Sequence, residues 1–121
     1  MTLTNRQRGD YFERQVRDTL EAHGWAVQRS AGSHGPCDLW AARAGNTLAH
    51  IECKLSGRID PKERAALIAL ADQTGGRALV AMRPRGGRIQ LLAVLRGSAR
   101  LVPLDTLRVP PRKPLAAVAD E

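Results

Sequence analysis

Apolar residues recur at Phe12, Val16 and Leu20, a four-residue spacing that lays one stripe along a helix; the spacing predicts a first helix from about Asn5 to His23, stopped by Gly24. Trp25 to Arg29 follows as a first strand. Ser30 to Pro36 consists of glycines and small polar residues and reads as a loop leading into Asp38. Leu39 to Arg43 and Thr47 to Lys54 are predicted to pair as a hairpin about a two-residue Gly45-Asn46 turn. Asp60-Pro61-Lys62-Glu63 is a helix start, with Asp60 as N-cap, Pro61 at the first helical position and Glu63 at the capping-box place. Ala65, Leu67, Ile68, Leu70 and Ala71 give that helix a broad apolar face to about Gln73, where Gly75-Gly76 stops it. A helix between strands implies that Arg77 to Met82 returns parallel to the preceding strand through a right-handed crossover. Ile89 to Leu95 is apolar on both faces and must be covered or lie in a dimer interface. A short strand is expected around Arg100-Leu101-Val102, and Pro110, Pro111 and Pro114 keep the tail from regular structure until its last few residues. The elements add up to an α/β fold with a mixed sheet of about five strands flanked by helices.

At 121 residues the chain holds one domain with a modest core. Its net charge of +7, carried mostly by arginine, points to a polyanionic partner, either nucleic acid or an anionic membrane. No apolar run approaches the length of a membrane span, and the polar Thr4 to Asp10 segment does not read as a secretory signal, so a soluble, intracellular, cytoplasmic protein is expected. No amphipathic helix joins a basic face to an exposed aromatic one, which favours nucleic acid over a membrane surface. Cys37 and Cys53 lie on neighbouring predicted strands. A reducing compartment makes them small core residues rather than a disulfide, and two cysteines without a matching histidine spacing fall short of four zinc ligands.

Candidate chemistry concentrates between Arg29 and Lys54. Side chains alternate along a strand, so Glu52 and Lys54 project together while Ile51 and Cys53 point the opposite way. With the hairpin in place, Asp38 sits across from them. Two carboxylates crowded beside an ammonium repel each other unless a cation intervenes, and an all-oxygen pair with room for water suits Mg²⁺ or Mn²⁺. A lysine there can hold an attacking water and offset charge developing on a phosphate. The plainer alternative is an internal ion pair between Glu52 and Lys54. Glu13 falls at the edge of the first apolar stripe, where it either looks towards the sheet or pairs with Arg17 on the helix surface. Ser30 and Ser33 either serve a site or satisfy turn backbone, and His34 is a lone loop histidine near any DNA. The basic Arg83 to Arg88 loop grips backbone phosphate or is a solvated turn.

Pro36-Cys37-Asp38 followed by Glu52-Cys53-Lys54 resembles the PD-(D/E)xK nuclease superfamily, with Cys37 inserted between the proline and the aspartate. More narrowly, Arg8-Gly9-x-x-x-Glu13, Arg29-Ser30-Ala31-Gly32-Ser33, Asp38, Glu52-Cys53-Lys54 and the Leu67 to Met82 segment resemble the archaeal-type Holliday junction resolvases over about four-fifths of the chain. The resemblance implies a restriction-endonuclease-like core over residues 1–107, with 108–121 a flexible proline-rich tail. It implies a Mg²⁺-dependent endonuclease, with Mn²⁺ as substitute, that nicks four-way DNA junctions in symmetric pairs. Asp38, Glu52, Glu13 and the Cys53 backbone carbonyl would hold the metal, and Glu13, Asp38, Glu52, Lys54 and Ser33 would be catalytic. Arg29 and Ser33 would hold the scissile phosphate, with Arg8, Ser30, His34 and Arg85 also meeting branched duplex DNA. One site per chain and two nicks per junction imply a two-fold homodimer. A nuclease for flaps, nicks or linear duplex, and a non-catalytic DNA-binding module, are the alternative expectations.

Overall fold

The computed structural model describes residues 3–30 and 37–103. The expectations for Gly32, Ser33 and His34, and for the boundary between core and tail, lie outside the described residues.

Helix α1 spans Asn5–Ala22 and begins one residue beyond Thr4, whose hydroxyl accepts the Gln7 N–H at 3.1 Å while Gln7 Oε1 accepts the Thr4 N–H at 2.8 Å. This capping box satisfies two amide donors that the first turn leaves without intrahelical partners. Strands β1 (Ala26–Arg29), β2 (Leu39–Ala42) and β3 (Ala49–Cys53) follow, then α2 (Pro61–Thr74), β4 (Arg77–Met82), β5 (Gln90–Val94) and β6 (Leu101–Pro103). The sheet has six strands, against the expected five or so, in the order β1-β2-β3-β4-β5-β6. All neighbours are antiparallel except β3 and β4, which run parallel across α2 as the helical crossover requires.

The hairpin turn differs from expectation. It is the four-residue turn Arg43 to Asn46, closed by the Asn46 N–H on the Arg43 carbonyl at 2.9 Å, with Gly45 at φ +80° in its third position. Strand β3 begins only at Ala49, because the Leu48 carbonyl accepts the Arg77 N–H at 2.8 Å and so serves the β4 side. The apolar last long strand is also resolved: β5 lies between β4 and β6, so its edge is paired within the chain.

The sheet has two unlike faces. Against one, α1 packs Phe12, Val16 and Leu20 onto Leu39, Ala41, Ile51, Leu79 and Leu91, all buried. Against the other, α2 packs Leu67 and Ala71 onto Cys37 and Ala78. His50 is completely buried on that second side, edge-on to the Trp40 ring at 4.5 Å between centroids. Its Nε2 lies 2.6 Å from Thr74 Oγ1, and that hydroxyl has carbonyl acceptors at Leu70 (3.1 Å) and Ala71 (3.3 Å). The single hydroxyl proton goes to a helix carbonyl, so Nε2–H donates to Thr74 and the imidazole is neutral; burial lowers its pKa in the same direction. The histidine thereby ties β3 to the end of α2. Gly76 lies at the same point, where a Cβ would sit 2.7 Å from the Leu48 carbonyl oxygen and 3.0 Å from His50 Nε2. Both cysteines are free thiols; burial foremost raises both, Cys37 to about 11, and keeps them neutral. No helix among the described residues is long and apolar enough to cross a membrane.

Candidate active site

The β2–β3 register pairs Leu39 with Ile51, so one step further along the ladder Asp38 faces Glu52. The chain is held there by three main-chain links. The Asp38 N–H donates to the Ile51 carbonyl and the Ser30 N–H to the Asp38 carbonyl, both at 2.9 Å, and the Cys53 N–H donates to Asp38 Oδ2 at 2.8 Å. The last bond replaces a ladder carbonyl with a side-chain carboxylate, which fixes Asp38 against the end of β3.

Glu52 is pushed up to about 9, first by burial, then by its hydrogen bond with Asp38 and by the charge of Asp38, with Lys54 pulling the other way. Burial and the neighbouring Asp38 thus both favour the protonated form of Glu52. Glu13 reaches the same group from α1 with its side chain only 15% exposed; its pKa is raised by burial and by Asp38, against the lowering effect of Arg29. The helix-surface alternative for Glu13 does not occur. Arg17 instead meets Asp18 at 3.5 Å and Glu21 at 3.9 Å, while Glu13 accepts from Arg29 Nε at 3.2 Å.

The Glu52–Lys54 ion pair is likewise absent. Lys54 Nζ lies 2.7 Å from Oε2 of Glu63, in the first turn of α2, and this bond is the leading reason its pKa is raised. Glu52 and Asp38 add to that rise through their charge, so the ammonium stands among three carboxylates. The sequence pattern marks Glu63 as a capping-box residue alone; its second role depends on where α2 docks, nine residues further along the chain than Lys54.

Arg29 bridges Glu13 and, at 3.6 Å, Asp10, so its guanidinium is engaged by α1. The Ser30 hydroxyl is hydrogen-bonded to Cys37. Arg8 and Arg85 are exposed, on α1 and on the β4–β5 loop, and are not gathered at the carboxylates. Ser33 and His34 lie outside the described residues. The nearby Arg83 is anchored, donating to Gln15 Oε1 at 2.8 Å and lying 5.9 Å from the Phe12 ring centroid.

Among the described residues no three His, Cys, Asp or Glu side chains are grouped as a ready metal cage. The donor set nevertheless fits a hard divalent ion. Two carboxyl groups that face each other across the end of a strand pair are oxygen donors for one cation, and Mg²⁺ commonly takes one or two carboxylates and completes its shell with water and phosphate oxygens.

The family model described as archaeal Holliday junction resolvase (hjc) matches residues 4–102. The chain is 38% identical over 84 residues to the crossover junction endodeoxyribonuclease Hjc of Methanocaldococcus jannaschii, a match over 66% of this chain and 62% of that protein's length. It is similar to the structure of Archaeoglobus fulgidus Hjc, a Holliday junction resolvase, with a TM-score of 0.64 and 28% identity over 92% of this chain and 99% of that one. With a match that takes in β1 to β5, both helices and every charged residue of the site, the chain belongs to the archaeal Holliday junction resolvase family.

Proposed function

We propose that this protein is a divalent-metal-dependent endonuclease that resolves four-way DNA junctions by paired nicks. The observation that carries the reading is the Asp38–Glu52 carboxyl pair, brought face to face at the end of β3 by the β2–β3 register, with the Lys54 ammonium beside it. A DNA-binding module has no use for a strained carboxylate pair at a surface that must meet phosphate. Asp38 and Glu52 would hold the metal, Mg²⁺ or in its place Mn²⁺, with the Cys53 carbonyl and Glu13 around them. Bound there, the metal supplies Lewis acidity towards a phosphate and a lowered pKa to water.

The chain's own groups do the rest. Lys54, an ammonium whose pKa the bond to Glu63 raises further, acts as a hydrogen-bond donor and a positive charge, placing the attacking water and stabilising the charge that builds on the phosphate. Arg29, held by Glu13 and Asp10, presents a fixed guanidinium beside the site, and Ser33 follows it by four positions in the chain. Arg8 and Arg85 add phosphate contacts away from the chemistry, in keeping with a net charge of +7. Two nicks on a roughly two-fold substrate require two sites, and a symmetric homodimer supplies them.

The test is cleavage of a labelled immobile four-way junction beside a linear duplex and a flap of matching sequence, in Mg²⁺ or EDTA, by the native protein and Asp38→Asn. Paired symmetric nicks in the junction alone, lost in EDTA and in the variant, are expected. Equal cutting of all three substrates would replace the resolvase reading with that of a general nuclease. Junction binding without any cutting would replace it with a binding module.

A further inference from the structure

Glu63 does two things with one carboxylate. Its Oε1 accepts the Asp60 N–H at 3.2 Å, closing the capping box of α2, while its Oε2 takes the Lys54 ammonium at 2.7 Å. The Glu63 N–H in turn donates to Asp60 Oδ1 at 2.7 Å. The glutamate is therefore pinned by backbone at both ends of its own turn and has little rotamer freedom. Lys54 is pinned less well: it follows the last residue of β3, its side chain is 32% exposed, and its four-carbon stem can sweep a wide arc. Left alone, such an ammonium would fold onto the nearest carboxyl groups, Asp38 and Glu52.

We propose that Glu63 is a positioning residue for cleavage, holding the Lys54 ammonium off the Asp38–Glu52 pair and aimed at the place a phosphate enters. The inference rests on the nuclease reading. One of the three ammonium donors is spent on Glu63, which leaves two for water and phosphate and prevents Lys54 from neutralising the carboxylates that a cation must bind. Rigid support of a reacting group by a neighbour anchored in a helix is worth about tenfold to a hundredfold in rate where it has been removed from other sites.

The substitution Glu63→Gln separates this role from capping, because glutamine closes a capping box as glutamate does but carries no charge for Lys54. The chain has three lysines, Lys54, Lys62 and Lys113, so a ¹⁵N-lysine spectrum of the metal-free protein contains few ammonium signals, and the one absent from Lys54→Arg is that of Lys54. In the native protein the Lys54 signal is shifted and protected from exchange with water. In Glu63→Gln it is lost to exchange, kcat on the four-way junction falls about tenfold or more, and KM and the melting temperature stay near native. Asp60→Ala, which removes the cap side chain and leaves the backbone N–H that Glu63 uses, lowers the melting temperature by roughly 5 °C and keeps both the Lys54 signal and kcat. Native kcat in Glu63→Gln, or an unchanged Lys54 signal, overturns the inference while leaving the nuclease reading intact. So does a loss of activity that merely follows melting temperature through both variants. A native protein that cuts no DNA overturns the nuclease reading itself, and the positioning role with it.

Discussion

The two faces of the sheet solve different problems with the same strands. On the α1 side, Ala49 and Ile51 of β3 meet Phe12, Val16 and Leu20 in an apolar layer whose acidic neighbour, Glu13, enters from the edge. On the α2 side, the intervening positions of β3 are His50 and Glu52, buried or half-buried polar groups each needing a particular partner. Shape and volume alone hold the first layer together. The second has to satisfy polar groups, His50 by its hydrogen bond to Thr74 and Glu52 by facing Asp38 at the end of the strand. A period-two strand thus separates stability from chemistry at adjacent residues.

That division is open to direct attack. The largest effect is expected from Asp38→Asn and Glu52→Gln, which should cut junction cleavage on the order of a thousandfold in initial rate, with gel-shift affinity for the junction unchanged or improved. Retained cleavage in either would remove the chemistry from this face. On the opposite face, Leu20→Ala should lower stability by about 2–5 kcal/mol in urea titration, with kcat of the folded fraction near native. A selective collapse of kcat there would show that the apolar layer carries the chemistry too.

A smaller and more diagnostic effect concerns pH. The Glu52 carboxyl has its pKa raised from 4.5 to about 9, so the folded protein holds this proton more tightly than the unfolded chain does. Its contribution to stability is complete below pH 4.5 and is lost as pH rises through about 9. In EDTA the melting temperature should therefore decline across that window, and Glu52→Gln should flatten the decline while Leu20→Ala leaves its slope alone. The smallest change is expected from Thr4→Ala, about 1 kcal/mol from the lost N-cap and no change in cleavage.

Sequence and structure agree most closely where local chemistry decides. Asp60, Pro61 and Glu63 marked the start of α2 to the residue, since capping needs only a few neighbouring groups. Arg77–Met82 came out as the strand expected, because an apolar run between a glycine stop and a basic loop leaves little choice. Thr4-x-x-Gln7 was an equally legible capping box that went unread ahead of α1. The turn lies at Arg43 to Asn46 because the Asn46 N–H folds back onto the Arg43 carbonyl and Gly45 supplies the positive φ of the third position, which makes it a four-residue turn rather than the expected two-residue one. At the site, alternation and hairpin pairing brought Asp38 to the end of β3, but a two-residue Gly45-Asn46 turn would set it opposite Cys53, and the observed register, one residue away, is what sets it opposite Glu52. Neither was enough to find the partners of Lys54 and Arg29. Those depend on how two helices dock against the sheet, and an ion pair such as Lys54–Glu63 leaves no periodic trace in the chain.

Strand order in this sheet is the same as chain order, β1 to β6 without a transposition. Each strand finds its neighbour by closing a loop or, once, by spanning α2, so every strand pairing joins segments that are consecutive strands in the chain. Folding should accordingly be fast for a β-rich topology. Asp38, Glu52, Lys54 and Glu63 fall within one stretch that β2, β3 and α2 assemble among themselves, whereas Glu13 must be delivered by the docking of α1. The core of the site can therefore form early in folding, as a by-product of hairpin closure, with the outermost carboxylate arriving last.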